Sequence, residues 1–276
     1  MGKKRYEKIK SLNTVLEASF STDNNEITLK APPLPDNKFP TVSVLTITKN
    51  RADIFDLAIF NWKNFKYPEN KIEWVIIDDS DNEKLGNLLP DDERIKYFYT
   101  PTSPCALTFS DIAEKRNFGI DKCQNSVISI MDDDDYHYPD SILGKIRIMD
   151  KYKKDCVITN KIAIYNLILN KSQIMEAKST KDSKKMVPEA FLTFKKSFWA
   201  SQKFAINDEN NGEGYAMIEG RFKKLIRIPY FFNGIAITHK ENVTGNSRNV
   251  GDGLGNFYDL LDEEVKKILD DWREKS

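Results

Sequence analysis

The chain has 276 residues, 40% of them hydrophobic, which is enough to bury a substantial core in one large domain or two closely joined lobes. Its 42 lysines and arginines balance its 42 aspartates and glutamates, so the zero formal net charge argues against a protein that binds nucleic acid through bulk electrostatics. The amino terminus is basic, but no apolar segment follows it. We therefore expect a cytoplasmic protein with neither a signal peptide nor an integral membrane segment.

Polar residues dominate the first forty positions, which end in the proline-rich stretch Ala31–Pro35, so we expect an extension and a stiff linker there. Strand and helix patterns alternate after it. The sequence predicts strands at Thr41–Thr48, Lys71–Ile77, Arg94–Tyr99 and Val127–Met131, with helices at Asp53–Phe65 and Phe109–Cys123. This order is typical of βαβ units, and it predicts an α/β fold with a mixed, mostly parallel sheet flanked by helices.

The second half of the chain gives weaker patterns. The predicted elements are a helix from Pro139 to about Tyr152, strands around Val157, at Ala163–Leu169 and at Gly234–Thr238, and a helix over Phe257–Lys275 with one apolar face. The polar, lysine-rich stretch Asn170–Lys185 is expected to be a mobile loop, and Asn242–Gly255 a flexible lid.

The strand Val127–Met131 ends in four consecutive aspartates, Asp132–Asp135. Open α/β sheets bind their ligands at the carboxyl ends of strands, and adjacent carboxylates repel one another unless a cation lies beside them. Because hard divalent cations prefer oxygen ligands, the run predicts a metal site, with a solvated acidic loop as the alternative. An EF-hand is excluded, because the loop lacks glycine at its sixth position and glutamate at its twelfth. His137, within this loop, is expected to be solvated.

Two further strand ends carry polar residues, Thr48–Arg51 after the first strand and Asp78–Asp81 after the second. Parallel strands end at one edge of a sheet, so these residues can converge with the aspartates around a nucleotide-containing ligand. Turn formation is the alternative role for the acidic pair after the second strand. Arg116 and Asn117, on the following helix, can equally belong to a solvated face.

These segments resemble the motifs of the family 2 glycosyltransferases, which have the GT-A fold. The resemblance rests on Val42–Arg51, Ile77–Ser80, Arg116–Gly119, and Met131–Asp135 with Pro139 and Leu143. The last of these is similar to the family's DxD-type metal motif, Asp-x-Asp-Asp. The match is ordered and correctly spaced from about Thr41 to Leu143, which makes the combination far more specific than any one motif.

The resemblance implies a nucleotide-sugar donor, with a UDP-sugar favoured, and Mn²⁺ or Mg²⁺ as cofactor. The metal ligands that it implies are Asp134, Asp132 and His239, the last because His239–Asn242 resembles the family's His-x-x-Asn region. The donor-binding residues that it implies are Thr48, Asn50, Arg51, Asp78, Asp79, Arg116, Asp132, Asp133 and Arg248. Either aspartate after the second strand would accept the imide N–H of a uracil-like base, and the arginine of the lid would reach the diphosphate.

A direct displacement at the sugar carbon requires a base that deprotonates the acceptor hydroxyl. The segment Asn211–Arg221 resembles the family's Glu-Asp region, with Glu213 at the Glu position and Gly214 where Asp is usual. The resemblance therefore implies Glu213 as the catalytic base, with Asp208 or Glu219 as alternatives. A purely structural Glu213, favoured at a helix start by the helix dipole, is the remaining interpretation.

We therefore predict a metal-dependent, inverting glycosyltransferase that acts on a hydroxyl of a glycan, a protein or a small molecule. The expected divisions are an extension and linker at 1–40, a nucleotide-sugar-binding half at 41–140, an acceptor and catalytic half with flexible loops at 141–256, and a C-terminal helix at 257–276. Two alternatives stay open. One is a catalytically degenerate nucleotide-sugar-binding protein, and the other a nucleotidyl or phosphoryl transferase that uses the same strand-end aspartates.

Overall fold

The structure, a computed structural model, describes residues 17–21, 26–30, 34–101, 109–159, 161–176, 187–206, 213–240, 242 and 256–275. The strands are β1 Glu17–Ser21, β2 Glu26–Lys30, β3 Val42–Thr48, β4 Ile72–Asp78, β5 Ile95–Tyr99, β6 Val127–Ile130, β7 Tyr136–His137, β8 Cys156–Thr159, β9 Lys161–Asn166, β10 Lys171–Glu176, β11 Thr193–Lys195, β12 Leu225–Ile228 and β13 Gly234–Thr238. The α-helices are α1 Asp56–Asn64, α2 Ile112–Lys122, α3 Ser141–Tyr152, α4 Lys196–Ala200, α5 Glu213–Ile218 and α6 Glu263–Lys275.

The central layer is a seven-stranded sheet in the order β12-β8-β11-β6-β3-β4-β5. Its strand pairs are parallel except where β11 lies antiparallel between β6 and β8. Every residue of β4 is buried, as expected of a central parallel strand whose two faces are both covered. The predicted mixed, mostly parallel α/β sheet is therefore confirmed, and β3, β4 and β6 place their carboxyl ends along one edge.

A smaller, four-stranded sheet has the order β10-β9-β13-β7. It lies beside the carboxyl end of β6, because β7 follows that strand within a few residues. The short strand β7 follows the four aspartates directly and pairs antiparallel with β13, Ile235 lying opposite Tyr136. The carboxylate of Asp135 strengthens this junction, because its Oδ1 accepts a hydrogen bond of 3.0 Å from the backbone N–H of Ile237. The acidic loop is thus fixed against β13, the strand that leads directly to His239.

The carboxyl-terminal helix α6 packs on the body of the domain, as its apolar face predicts. Val265, Leu269 and Trp272 on this helix are buried, and the indole N–H of Trp272 donates a 2.9 Å hydrogen bond to Asp56 at the start of α1. In the part of the chain that the structure describes, there is no helix with both the length and the apolar composition needed to cross a membrane.

Two local expectations are corrected by the structure. Lys171–Glu176, predicted within a mobile loop, forms β10 and pairs with β9, and residues 177–186 lie outside the described residues. Within the predicted N-terminal extension, β1 and β2 form an antiparallel pair. His137 is only 2% exposed rather than solvated, because β7 turns its ring inward between Phe65 and Phe191.

Gly119 allows α2 to pack closely on the central sheet. A Cβ atom at this position would lie 2.6 Å from Leu45 Cδ1, a separation that no real packing tolerates. Residues three and four positions apart share a helix face, so the close approach at Gly119 also sets Arg116 and Lys115 over the ends of β3 and β4. Neither side chain belongs to a solvated face, since both are buried. Asn117 is buried as well, and its side chain bonds Trp199 and Phe204.

Lys145, on α3, provides a test of the core through its pH dependence. Its side chain is fully buried, its Nζ donates to the carbonyl of Phe191 at 3.0 Å, and burial lowers its pKa from 10.5 to about 7. Between these values the unfolded chain holds a proton that the folded chain lacks, so folding stability should rise with pH across this window. We expect Lys145→Met to remove a slope of about 1 kcal/mol per pH unit between about pH 7 and 9.

The measurement is urea unfolding at several pH values in that range. Lys151→Met, an exposed lysine on the same helix, is the matched control and should keep the wild-type slope. Equal pH dependence in the wild type and Lys145→Met would contradict the assignment of a neutral buried amine.

Candidate functional site

The loops after β3 and β4 are joined through Asn50. This residue has a φ of 55°, in the left-handed region that asparagine tolerates better than most residues. Its backbone N–H donates to Ser80 Oγ at 2.6 Å, and its amide exchanges two 2.9 Å hydrogen bonds with Asp81. The predicted convergence of the first two strand ends is therefore present, and Asn50 is the residue that links them.

Arg51 joins the first loop to the acidic run. Its Nη1 lies 2.7 Å from Asp133 Oδ1 and 2.7 Å from Asp134 Oδ2. Burial disfavours the charge of Arg51, but the two carboxylates outweigh that effect and raise its pKa. Burial and the neighbouring charge of Asp134 raise the pKa of Asp133 to about 6. A single guanidinium thus compensates two buried carboxylates, so the acidic run is not a solvated loop.

The opposite wall of the site is formed by the segment after β13. His239 Nε2 lies 3.1 Å from Asp134 Oδ2, and the amide Nδ2 of Asn242 donates to the same oxygen at 3.0 Å. Burial alone would raise the pKa of Asp134, but the contacts with His239 and Arg51 hold it below its usual value. His239 therefore lies beside the acidic run, where the sequence analysis expects it to act as a metal ligand.

Asp134 and His239 fit as two ligands of one divalent ion. Adjacent ligands of an octahedral ion at about 2.1 Å are about 3 Å apart, close to the separation of Asp134 Oδ2 and His239 Nε2. The second oxygen of Asp133 is buried and has no hydrogen-bond partner among the described residues, which leaves acceptor capacity beside this pair. Within those residues, however, no three His, Cys, Asp or Glu side chains group around one point, and Asp132 faces Arg116 instead.

Arg116 is the centre of a second cluster. It is 3% exposed, its Nη2 lies 3.3 Å and 3.4 Å from the two oxygens of Asp132, and its Nη1 is in direct contact with Glu213 Oε1. Glu213 begins α5, and its Oε2 is buried without a hydrogen-bond partner among the described residues. With one oxygen held by Arg116 and the other buried, the carboxylate is fixed in orientation, as a positioned proton acceptor requires.

The acidic pair after β4 is more enclosed than the sequence indicates. Asp78 is fully buried: Oδ1 accepts from the backbone N–H and hydroxyl of Ser80, and Oδ2 accepts from Tyr97 at 2.8 Å. Asp79 is in direct contact with Lys115 Nζ, which also donates to the carbonyl of Thr48. Burial lowers the pKa of Lys115 more than Asp79 raises it. Of the two predicted base-binding carboxylates, Asp79 is the more exposed, at 8%.

Most of the predicted site residues that the structure describes therefore meet at this edge. Arg248 and the alternative base Asp208 lie outside the described residues. The other alternative, Glu219, is exposed, and its carboxylate accepts from Tyr215 four residues earlier. Sequence reasoning missed one contributor, Lys115, although this residue directly precedes Arg116 and was a usable signal.

Comparisons with known proteins identify the family of the chain. Residues 43–219 match the model of glycosyl transferase family 2, and the chain belongs to that family. An uncharacterized glycosyltransferase of Haemophilus influenzae is 28% identical over 114 residues, which are 40% of this chain and 42% of that protein. The chain thus spans less than half of the length of this curated relative. The family predicted from the motifs is confirmed.

Solved structures share the fold at low sequence identity. A mannosyltransferase from Pyrobaculum calidifontis, solved with GDP-Man and Mn²⁺, aligns with a TM-score of 0.55 and 13% identity over 78% of this chain and 61% of its own. Residues 1–349 of TarS from S. aureus, solved with UDP-GlcNAc, align with a TM-score of 0.59 and 13% identity over 84% of this chain and 71% of their own. The predicted GT-A fold is confirmed.

Proposed function

We propose that this chain is a metal-dependent, inverting glycosyltransferase that moves a sugar from a nucleotide-diphosphate donor, with a UDP-sugar favoured, to an acceptor hydroxyl. The observation that carries the proposal is the position of two clusters at one sheet edge. Asp134 with His239 forms a cation-binding side, and Arg116 with Glu213 forms a proton-accepting side. The acceptor belongs to a glycan, a protein or a small molecule, and we place the reaction in the cytoplasm.

The donor side is assigned to residues 41–140 and the acceptor side to residues 141–256. A divalent ion, Mn²⁺ or Mg²⁺, would neutralise the charge that develops on the departing diphosphate. Asp134 and His239 would hold it, with Asp132 as the further ligand that the family resemblance implies. Arg51, already paired with Asp133 and Asp134, is placed to exchange a carboxylate contact for a phosphate oxygen. Asp79 would accept a hydrogen bond from the nucleobase of the donor.

The acceptor side supplies the proton transfer. Glu213 would take the proton of the acceptor hydroxyl while the oxygen of that hydroxyl attacks the anomeric carbon from the face opposite the diphosphate. This attack breaks the bond to the leaving oxygen and inverts the configuration at that carbon. Arg116 would orient Glu213 through their direct contact.

The test is calorimetric binding of UDP-glucose, UDP-galactose, UDP-N-acetylglucosamine and GDP-mannose, each with Mn²⁺ and with chelator. We expect one of these to bind only when the metal is present. Equal binding with chelator would contradict metal dependence. Metal-dependent binding without release of the nucleotide would favour a catalytically degenerate relative, and no binding across the panel would contradict the donor assignment.

A further inference from the structure

Glu189 packs against Gly214 at the acceptor side of the site. Its Oε1 accepts a 3.0 Å hydrogen bond from the backbone N–H of Gly214. A Cβ atom at position 214 would collide with this oxygen and would lie 2.9 Å from a methyl carbon of Val187. The volume that a side chain of residue 214 would occupy is therefore filled by a carboxyl group from another part of the chain.

The antiparallel strand β11 explains how Glu189 reaches this position. Thr193 of β11 lies opposite Ser129 of β6, and the carbonyl of Leu192 accepts from the backbone N–H of Ile130 at 2.8 Å. The residues just before β11 must therefore lie beyond the carboxyl end of β6. The acidic loop starts at that same end, which brings Glu189 beside it although no sequence motif connects the two.

The charges around Glu189 belong to the site already described. Burial raises the pKa of Glu189 above its ordinary value, although the charge of Arg116 and the N–H of Gly214 act in the opposite direction. Arg116 therefore acts on three carboxyl groups: it contacts Asp132 and Glu213 directly and lies within electrostatic range of Glu189.

We infer that Glu189 supplies the second carboxyl group of the acceptor side, placed from the segment before β11 into the space that Gly214 leaves open. This inference rests on the proposed function. A guanidinium paired with one carboxylate makes that carboxylate a weaker proton acceptor. In its ionised form, Glu189 shares the positive charge of Arg116, so Glu213 remains a proton acceptor while Arg116 still orients it. Glu189 is thus a positioning residue that acts through Arg116 and Gly214.

The first test is Glu189→Gln, which keeps the shape and the oxygen that accepts from Gly214 but removes the charge. We expect the turnover number for UDP release from a nucleotide sugar to fall at least about tenfold, with donor affinity unchanged. Glu73→Gln is the matched control, because Glu73 is also a buried carboxylate that accepts from a backbone N–H, that of Gln124. Full activity in Glu189→Gln would mean that Glu189 serves only as a hydrogen-bond acceptor for Gly214, and it would overturn the inference.

The second test moves the carboxyl group back to α5. Glu189→Ala should lose turnover. Gly214→Asp should lose both turnover and stability, because its side chain collides with Glu189. The double variant Glu189→Ala/Gly214→Asp should have a turnover number at least about tenfold higher than that of Glu189→Ala. A folded double variant without recovery would contradict the inference. If the wild type itself releases no nucleotide from any donor that it binds, the proposed function fails instead, so the two failures are distinguishable.

Discussion

Glu213→Gln is expected to lower the turnover number about 10²–10⁴-fold while the donor still binds with wild-type affinity. The amide keeps the size of the side chain but cannot take a proton from the acceptor hydroxyl. The contact of Glu213 with Arg116 and the contact of Asp134 with His239 involve separate residues, and the amide can keep the former, so we expect the donor and its metal to bind as before. We therefore expect a lower turnover number with unchanged donor affinity.

The measurement combines calorimetric donor binding with nucleotide release, using water as acceptor until the natural acceptor is identified. Glu219→Gln is the matched control, since Glu219 lies on the turn that follows the same helix and its carboxylate faces Tyr215. It should retain wild-type turnover. Wild-type turnover in Glu213→Gln would remove the base assignment, and a loss in Glu219→Gln alone would transfer it to that residue.

The proposed donor side could be predicted from the sequence because its signals are local. An apolar run followed at once by charged residues predicts a buried strand with a polar carboxyl end, and parallel strands place such ends together. Asp134, Arg51 and Asn50 were found this way. Their exact partners were not, because hydrogen bonds such as that between Asn50 and Ser80 join residues that only the folded sheet brings together.

The proposed acceptor side depends on strand pairings that a single sequence does not encode locally. The short strand β11 has three residues, too few for a periodic pattern, yet its insertion between β6 and β8 places Glu189 in the site. His137 was misjudged for a related reason. Its charged neighbours indicate a solvated loop, whereas the pairing of β7 with β13 buries the ring. Long-range strand pairing therefore determines both the position of Glu189 and the burial of His137.

Asp134→Asn is expected to abolish the metal-dependent part of donor binding. Asp134 Oδ2 is the atom on which Arg51, His239 and Asn242 converge, and an amide in its place removes the charge that a cation needs. The electrostatic contribution of a bound divalent ion is several kcal/mol, so we expect donor affinity in Mn²⁺ to fall about 100-fold or more.

The matched control is Asp135→Asn, the same substitution at the next position of the acidic run. Asp135 accepts from the backbone N–H of Ile237, a contact that an amide oxygen can also make, so metal-dependent binding should persist. Calorimetry with Mn²⁺ and with chelator, together with thermal unfolding, separates loss of the metal from loss of the fold. Unchanged donor affinity in folded Asp134→Asn would contradict the metal assignment, because Asp134 is the carboxylate that contacts both Arg51 and His239.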